Sequence, residues 1–221
     1  MQFDSAMMKM FLDGIRETVY MVSLSSLLSY ILGIPLGIAL VVTDKNGIQP
    51  APVFNRVAGT VINLLRSIPF IILLVMVIPV TRAIVGKIIG PNAAVVPLVI
   101  SAFPYISRMV ESSLKEVDAG VIEAAKSMGA STGQIIWKVL LPEAKPSLLV
   151  GAAISITTIL GYSAMAGSVG AGGLGDIAIR YGYHRYQTDV MLVTVVLLVI
   201  IVQLIQEVFM RMAKRGDKRI R

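Results

Sequence analysis

The chain contains no cysteine and a single histidine, His184. Neither a disulfide framework nor a thiolate metal site can be drawn, and one imidazole cannot make a histidine cluster, so no metal site is expected on this chain. Charge is scarce as well, at 15% of residues. The phosphate-binding pattern Gly-x-x-x-x-Gly-Lys-Ser/Thr is missing, because the one Gly-Lys pair, Gly86-Lys87, is followed by Ile88. The chain therefore has no nucleotide-binding loop of its own, and no cofactor is expected on it.

What is present is apolar: 56% hydrophobic residues in a chain of 221, with a mean hydropathy of +0.80. A membrane protein is the class this composition indicates. A helix crossing about 30 Å of hydrocarbon needs about 20 largely apolar residues. Residues 18–43, 88–107, 146–175 and 190–206 carry no charge at all, and residues 57–80 carry only Arg66. The sequence thus predicts an all-α, polytopic membrane protein, one domain over residues 1–221. Its five spans lie near 18–43, 57–80, 91–107, 147–167 and 190–210, with a loop at 108–146. The first apolar run is too long for the core of a cleaved signal, and no Ala-x-Ala-like site follows it, so it reads as a retained span.

Lys and Arg set the orientation. Lys45, Arg56, Arg108, Lys115, Lys126, Lys138, Lys145, Arg211, Lys214, Arg215, Lys218, Arg219 and Arg221 fall on one set of alternating loops. Lys9, Arg16, Arg82, Lys87, Arg180 and Arg185 fall on the other. The excess places the C-terminus and the 108–146 loop in the cytoplasm and the N-terminus outside. The net charge of +7 is then a topology signal, reinforced by anionic lipid near the basic tail, rather than a nucleic-acid footprint.

Several local features carry expectations. Gly33 and Gly37 have the small-x-x-x-small spacing that lets a second helix approach, though glycine is common in such spans anyway. Pro97 and Pro104 should kink the third span or split it, and Pro104 should be packed by protein or line a cavity. Gly170, Gly172 and Gly175 spell a dinucleotide fingerprint. That fingerprint needs a strand before it and a helix after it, and here an apolar span precedes it, so tight turning or close packing is the reading instead.

The loop contains "EAAKSMGASTGQIIWKVLLP". Asp118 is placed to cap a helix carrying Val121, Ile122, Ala125 and Met128 at helical spacing, with Gly129 to end it. Ser131 and Gln134 make a capping box for a second helix, which carries Ile135, Ile136, Val139 and Leu140 on one face and stops near Pro142. The offsets of Ala125, Gly129 and Ile135 fit a helix-turn-helix. Yet residues 108–145 hold five basic and five acidic side chains, and a neutral surface gains nothing from phosphates, so no nucleic-acid partner is expected.

Glu123-Ala124-Ala125, then Gly129, then Leu141-Pro142 resembles the EAA loop of the membrane subunits of bacterial ATP-binding-cassette importers, with Val139 where that family usually has Ile. The segments from Arg66 and from Gly161 resemble the methionine importer permeases. The resemblance implies a type I importer permease in the bacterial inner membrane. It further implies coupling through Glu123, Ala124, Ala125, Gly129, Leu141 and Pro142 to two copies of a cytoplasmic ATPase that hold ATP and Mg. A second copy of the chain and an extracytoplasmic substrate-binding protein complete the implied assembly in the lipid bilayer. The substrate would be D- or L-methionine, or another amino acid or small organic molecule.

Arg66, inside a span, reads either as a pathway or inter-helix anchor or as a side chain snorkelling to the interface. Tyr162, Ser163 and Met165 lie where a pore must narrow, and flexible Met165 suits a gate, with ordinary helix packing as the alternative. Two other classes compete: a self-sufficient secondary transporter or channel, and a membrane-anchored regulator using the hairpin as an interaction module. The first would call for ion-coupling carboxylates, and the apolar runs hold no Asp or Glu.

Overall fold

The structure, a computed structural model, describes residues 4–216 and is built from helices, with no strand among those residues. Lys218, Arg219 and Arg221 of the basic tail lie outside the described residues. Four helices are long and apolar enough to cross a membrane, and a bent pair makes up to five.

The first helix, α1, runs over Ser5–Val42 with Pro35 inside it. Its 38 residues span about 57 Å at 1.5 Å per residue, well beyond the about 30 Å of hydrocarbon. The span expected from residue 18 is thus the later part of a longer helix. The early turns form because Met7, Met10, Phe11 and Ile15 recur at helical spacing and pack with Leu174, Ile177 and Val190 in one apolar cluster.

The second expected span, residues 57–80, is not one helix. It divides into α2 (Pro52–Arg66), α3 (Phe70–Met76) and α4 (Ile78–Val85), with a 100° bend between α2 and α3. Pro69 is the cause: it offers no N–H and drives Ile68 out of helical geometry, so α2 must end before it. Ser67 closes the end, its N–H donating to the Asn63 carbonyl at 3.1 Å and its hydroxyl to the same oxygen at 2.8 Å.

The third span behaves in the opposite way. Helix α5 continues unbroken over Pro91–Lys115, so Pro97 and Pro104 do not split it. Each removes one hydrogen bond, but both are buried, so packing around them holds the helix together; Pro104 is protein-packed as expected. The helix also reaches Lys115, so the first residues assigned to the 108–146 loop belong to it.

After α5 come α6 (Ala119–Ser127) and α7 (Thr132–Ile135), then a π turn over Ile136–Leu140 that leads straight into α8 (Leu141–Gly167). The second hairpin helix does not stop near Pro142. The wider turn lets the Leu141 N–H reach the Ile136 carbonyl and leaves room for the Pro142 ring, which would clash within a regular α turn. Thr132–Gly167 is thus one span-length element. Helix α9 (Gly173–Ile177) and a second π turn (Ala178–Tyr183) precede α10 (Thr188–Gly216).

Contacts group these elements into two compact units, to which α1, α5, α8 and α10 each contribute one stretch. One unit gathers the chain to Leu28, Ile68–Ala102 and Ile156–Gln206. Its glycine-rich segment turns on Gly170, Gly172 and Gly173, all at positive φ. Glu17 accepts the Gly173 N–H at 2.7 Å and the Thr18 hydroxyl accepts that of Leu174 at 2.9 Å, which satisfies donors that α9 leaves open.

The other unit holds Ser29–Ser67, Phe103–Ser155 and the chain from Glu207. Here the glycine spacing of α1 does its packing work. A Cβ on Gly33 would fall 2.6 Å from Ile106, and one on Gly37 would fall 2.7 Å from both the Ser107 carbonyl and Val110. Polar ties join the ends of the helices: the Asn55 amide donates to the Leu40 carbonyl at 2.6 Å, and the Ser147 hydroxyl to Ser113 at 3.0 Å.

Asp44, just past α1, sits 2.8 Å from the Lys115 ammonium, which holds its carboxyl below the usual carboxylate range. A depressed acid contributes stability above its unfolded pKa and loses it as pH falls through the folded one. Asp44 is 36% exposed, so solvent screening keeps the contribution below about 1 kcal/mol. Acidification through the carboxylate range should therefore narrow a small melting-temperature gap between the native chain and Asp44→Asn.

Candidate functional site

The hairpin is shaped by its termini. The Asp118 carboxylate accepts the Gly120 N–H at 2.7 Å and starts α6. At the far end Gly129 has φ +78°, its N–H donates to Lys126 at 2.9 Å, and the Ala130 N–H donates to Ala125 at 3.1 Å. This is a Schellman ending, in which a left-handed residue lets two orphan carbonyls be satisfied. Ser131 and Gln134 then form the expected capping box and start α7.

The hairpin turns one apolar set inward and leaves another in the open. Ala125, Ile135 and Leu140 are buried. Glu123, Ala124, Gly129 and Pro142 are exposed, and Leu141 is half-buried. Two of the four apolar positions assigned to α6 face outward rather than into the core: Val121 is exposed and Met128 is 81% exposed. Trp137, the one tryptophan of the chain, is 72% exposed. Large apolar side chains at that exposure beside charged residues suit a surface that another protein or the membrane interface covers. Periodicity put Met128 on the apolar stripe of the first helix and left Trp137 outside that of the second; the exposure of both depends on how the short helices pack.

The candidate pathway residues are less uniform. Tyr162 is stacked on Phe70, with ring centroids 4.6 Å apart and planes within 5°. The Ser163 hydroxyl is buried and donates to the Leu160 carbonyl of its own helix at 2.7 Å. Met165 is exposed. Arg66 ends α2, where a cation complements the helix carbonyls, and lies 5.9 Å above the Tyr105 ring. None of the four makes a carboxylate pair or metal cluster, and no such cluster occurs among the described residues.

The comparisons with known proteins bear on this geometry. The family model of the binding-protein-dependent transport system inner membrane component matches residues 33–221. The chain belongs to that family. Among its relatives, the probable D-methionine transport system permease protein MetI of Vibrio cholerae is 51% identical over 203 residues, 92% of this chain and 90% of that protein. The methionine import system permease protein MetP of Bacillus subtilis is 46% identical over 167 residues, covering 76% of this chain and 75% of that one. A solved structure of the MetNI methionine transporter in inward-facing conformations matches with a TM-score of 0.95 and 46% identity, over 98% of this chain and all of that chain. An amino acid transporter solved with histidines shares the fold, with a TM-score of 0.77 at 20% identity.

As a binding-protein-dependent transport component, the chain is a multi-pass membrane protein and a transport subunit. The helix-turn-helix and dinucleotide readings have no place in it. No strand precedes the glycine segment, and the hairpin's second helix is the leading end of a span.

Proposed function

We propose that this chain is the permease subunit of a methionine importer, forming the translocation path and driven by ATP that a separate cytoplasmic ATPase binds with Mg and hydrolyses. The observation that carries the reading is the fit of the whole chain to the methionine transporter, at 46% identity and a TM-score of 0.95. The permease has no nucleotide loop of its own, which supports placing hydrolysis on a partner.

The partner's seat is the hairpin. Glu123, Ala124, Gly129, Leu141 and Pro142 frame a surface on which Met128 and Trp137 supply apolar anchors and Glu123 an orienting charge, while buried Ala125 ties α6 down. The lysine and arginine imbalance supports a cytoplasmic hairpin and C-terminus and an external N-terminus. Two ATPase copies would engage two copies of the chain. The family's binding protein would deliver substrate from outside.

Co-purification with the ATPase tests the seat. Trp137→Glu and Met128→Glu should each reduce recovery of the ATPase about tenfold or more, as loss of an interface anchor of about 2 kcal/mol does. Unchanged recovery from both would remove the hairpin as the docking surface.

Met165 is assigned to the gate and Tyr162, Ser163 and Arg66 to the path. Met165→Ala should let substrate leak through the assembled complex in the absence of ATP, measured as efflux from loaded vesicles. A variant as tight as the native complex would return Met165 to ordinary packing.

A further inference from the structure

Glu111 is the one acidic residue buried in a segment that leads directly into the hairpin, and the proposed coupling surface does not use it. Its carboxylate is held from both sides. One oxygen receives the Arg108 guanidinium at 2.6 Å and the other the Lys115 ammonium at 2.9 Å. Each cation then reaches a different element. Arg108 donates from its other terminal nitrogen to the Gly59 carbonyl of α2 at 2.9 Å, and Lys115 binds Asp44 beyond α1 at 2.8 Å. The resulting chain runs from α2 through Arg108, Glu111 and Lys115 to Asp44, and all of it lies within one compact unit.

Two features separate this chain from a scatter of surface pairs. Its central carboxylate is only 10% exposed and its Arg108 partner 26%, so that pair is screened less than an exposed one, while Lys115 and Asp44 form the open end of the chain. Gly59 is also needed for it: a Cβ there would come within 3.0 Å of the Arg108 guanidinium, so a larger residue would crowd the hydrogen bond to the carbonyl. Lys115 is the last residue of α5, and α6 begins at Ala119. A displacement of the hairpin therefore acts on Lys115 across three residues and, through it, on the end of α1 and on α2.

We propose that Asp44, Lys115, Glu111 and Arg108 form a transmission clasp that makes the end of α1 and the helix α2 move as one body with the hairpin, with Glu111 as its central positioning residue. The inference rests on the reading of the hairpin as the ATPase seat. The clasp does not contact substrate or ATP. It converts a push on the hairpin into displacement of helices, and loosening it separates hydrolysis from transport.

The test uses the full complex of this chain, its ATPase and its binding protein in vesicles. Lys115→Glu places a third carboxylate against Asp44 and Glu111. The expected result is import of labelled methionine reduced about tenfold while ATP hydrolysis stays within about twofold, so that more ATP is consumed per substrate. Lys115→Arg, which keeps a cation between Asp44 and Glu111, should by contrast retain at least half of the import. Parallel loss of hydrolysis and import, no loss at all, or a Lys115→Arg variant as poor as Lys115→Glu would each overturn the clasp.

A second readout does not depend on import. The native chain lacks cysteine, so Val53→Cys on α2 and Lys126→Cys on α6 give one pair of spin-label sites in each copy of the chain. Their separation should stay fixed between nucleotide-free and ATP-trapped complexes, and should shift or broaden on trapping when Lys115→Glu is added. A separation that changes equally with and without Lys115→Glu contradicts the clasp. If the native complex imports no methionine while the separation behaves as expected, the substrate assignment fails and the clasp stands.

Discussion

Gly129→Val should cost most of the ATP-driven import, while Gly133→Ala, four residues later on the same surface, should cost none. Neither glycine is crowded, since a Cβ at either position meets nothing within 4 Å. The difference is conformational. Gly129 has φ +78°, where a side chain is disfavoured by about 1–2 kcal/mol and a β-branched one by more. Gly133 lies inside α7, where alanine is better than glycine by about 1 kcal/mol.

The Schellman ending at Gly129 sets the direction in which the chain leaves α6, and so the positions of Met128 and Trp137 relative to Glu123. A penalty of about 1–2 kcal/mol on that geometry lowers the ratio of docking-competent to other arrangements by about 5–30-fold. Import should fall accordingly, with the spans intact and the chain still recovered from the membrane. Equal effects of the two substitutions would mean that the turn geometry does not matter to coupling.

Gly37→Leu should act at an earlier stage and prevent proper assembly of the chain. A side chain at Gly37 runs into backbone as well as side chain, the Ser107 carbonyl and Val110 both lying 2.7 Å from the position a Cβ would take. Backbone cannot rotate out of the way, so α1 and α5 must separate. Overpacking of this kind costs about 1–3 kcal/mol and more when no cavity absorbs the added atoms. The melting midpoint of the purified chain should drop by on the order of 5 °C, with lower recovery from membranes. Gly161→Ala is the matched control, because nothing lies within 4 Å of a Cβ there. A Gly37→Leu chain as stable as that control would show that close approach of the two helices is not required.

Much of this arrangement was legible from residue pattern, because local chemistry decides it. Asp118, Gly129 and the Ser131–Gln134 box each act within one turn of themselves, and the structure uses all of them as expected. Prolines were less legible, since their effect depends on what surrounds them. Pro69 breaks a helix, Pro97 and Pro104 are carried within one by buried packing, and Pro142 is absorbed by a π turn. The helical turns before residue 18 were missed as well. Lys9, Asp13 and Arg16 break up the linear apolar run there, and the short apolar face is explained only by Leu174, Ile177 and Val190, far away in sequence.

For the site, the Glu123 to Gly129 spacing pointed to the hairpin, but not to which side chains it presents. The exposure of Met128 and Trp137 follows from packing between elements too short to show a clear stripe. The clasp was half visible: Arg108, Glu111 and Lys115 stand at helical spacing, whereas nothing in the sequence pairs Asp44 or Gly59 with them.

The most direct measurement is uptake of labelled methionine by the chain assembled with its ATPase and binding protein in sealed vesicles, with and without ATP. An importer permease gives uptake that requires ATP and disappears with Gly129→Val. Uptake that proceeds equally without ATP, or none from a complex that hydrolyses ATP normally, would contradict an ATP-driven methionine importer.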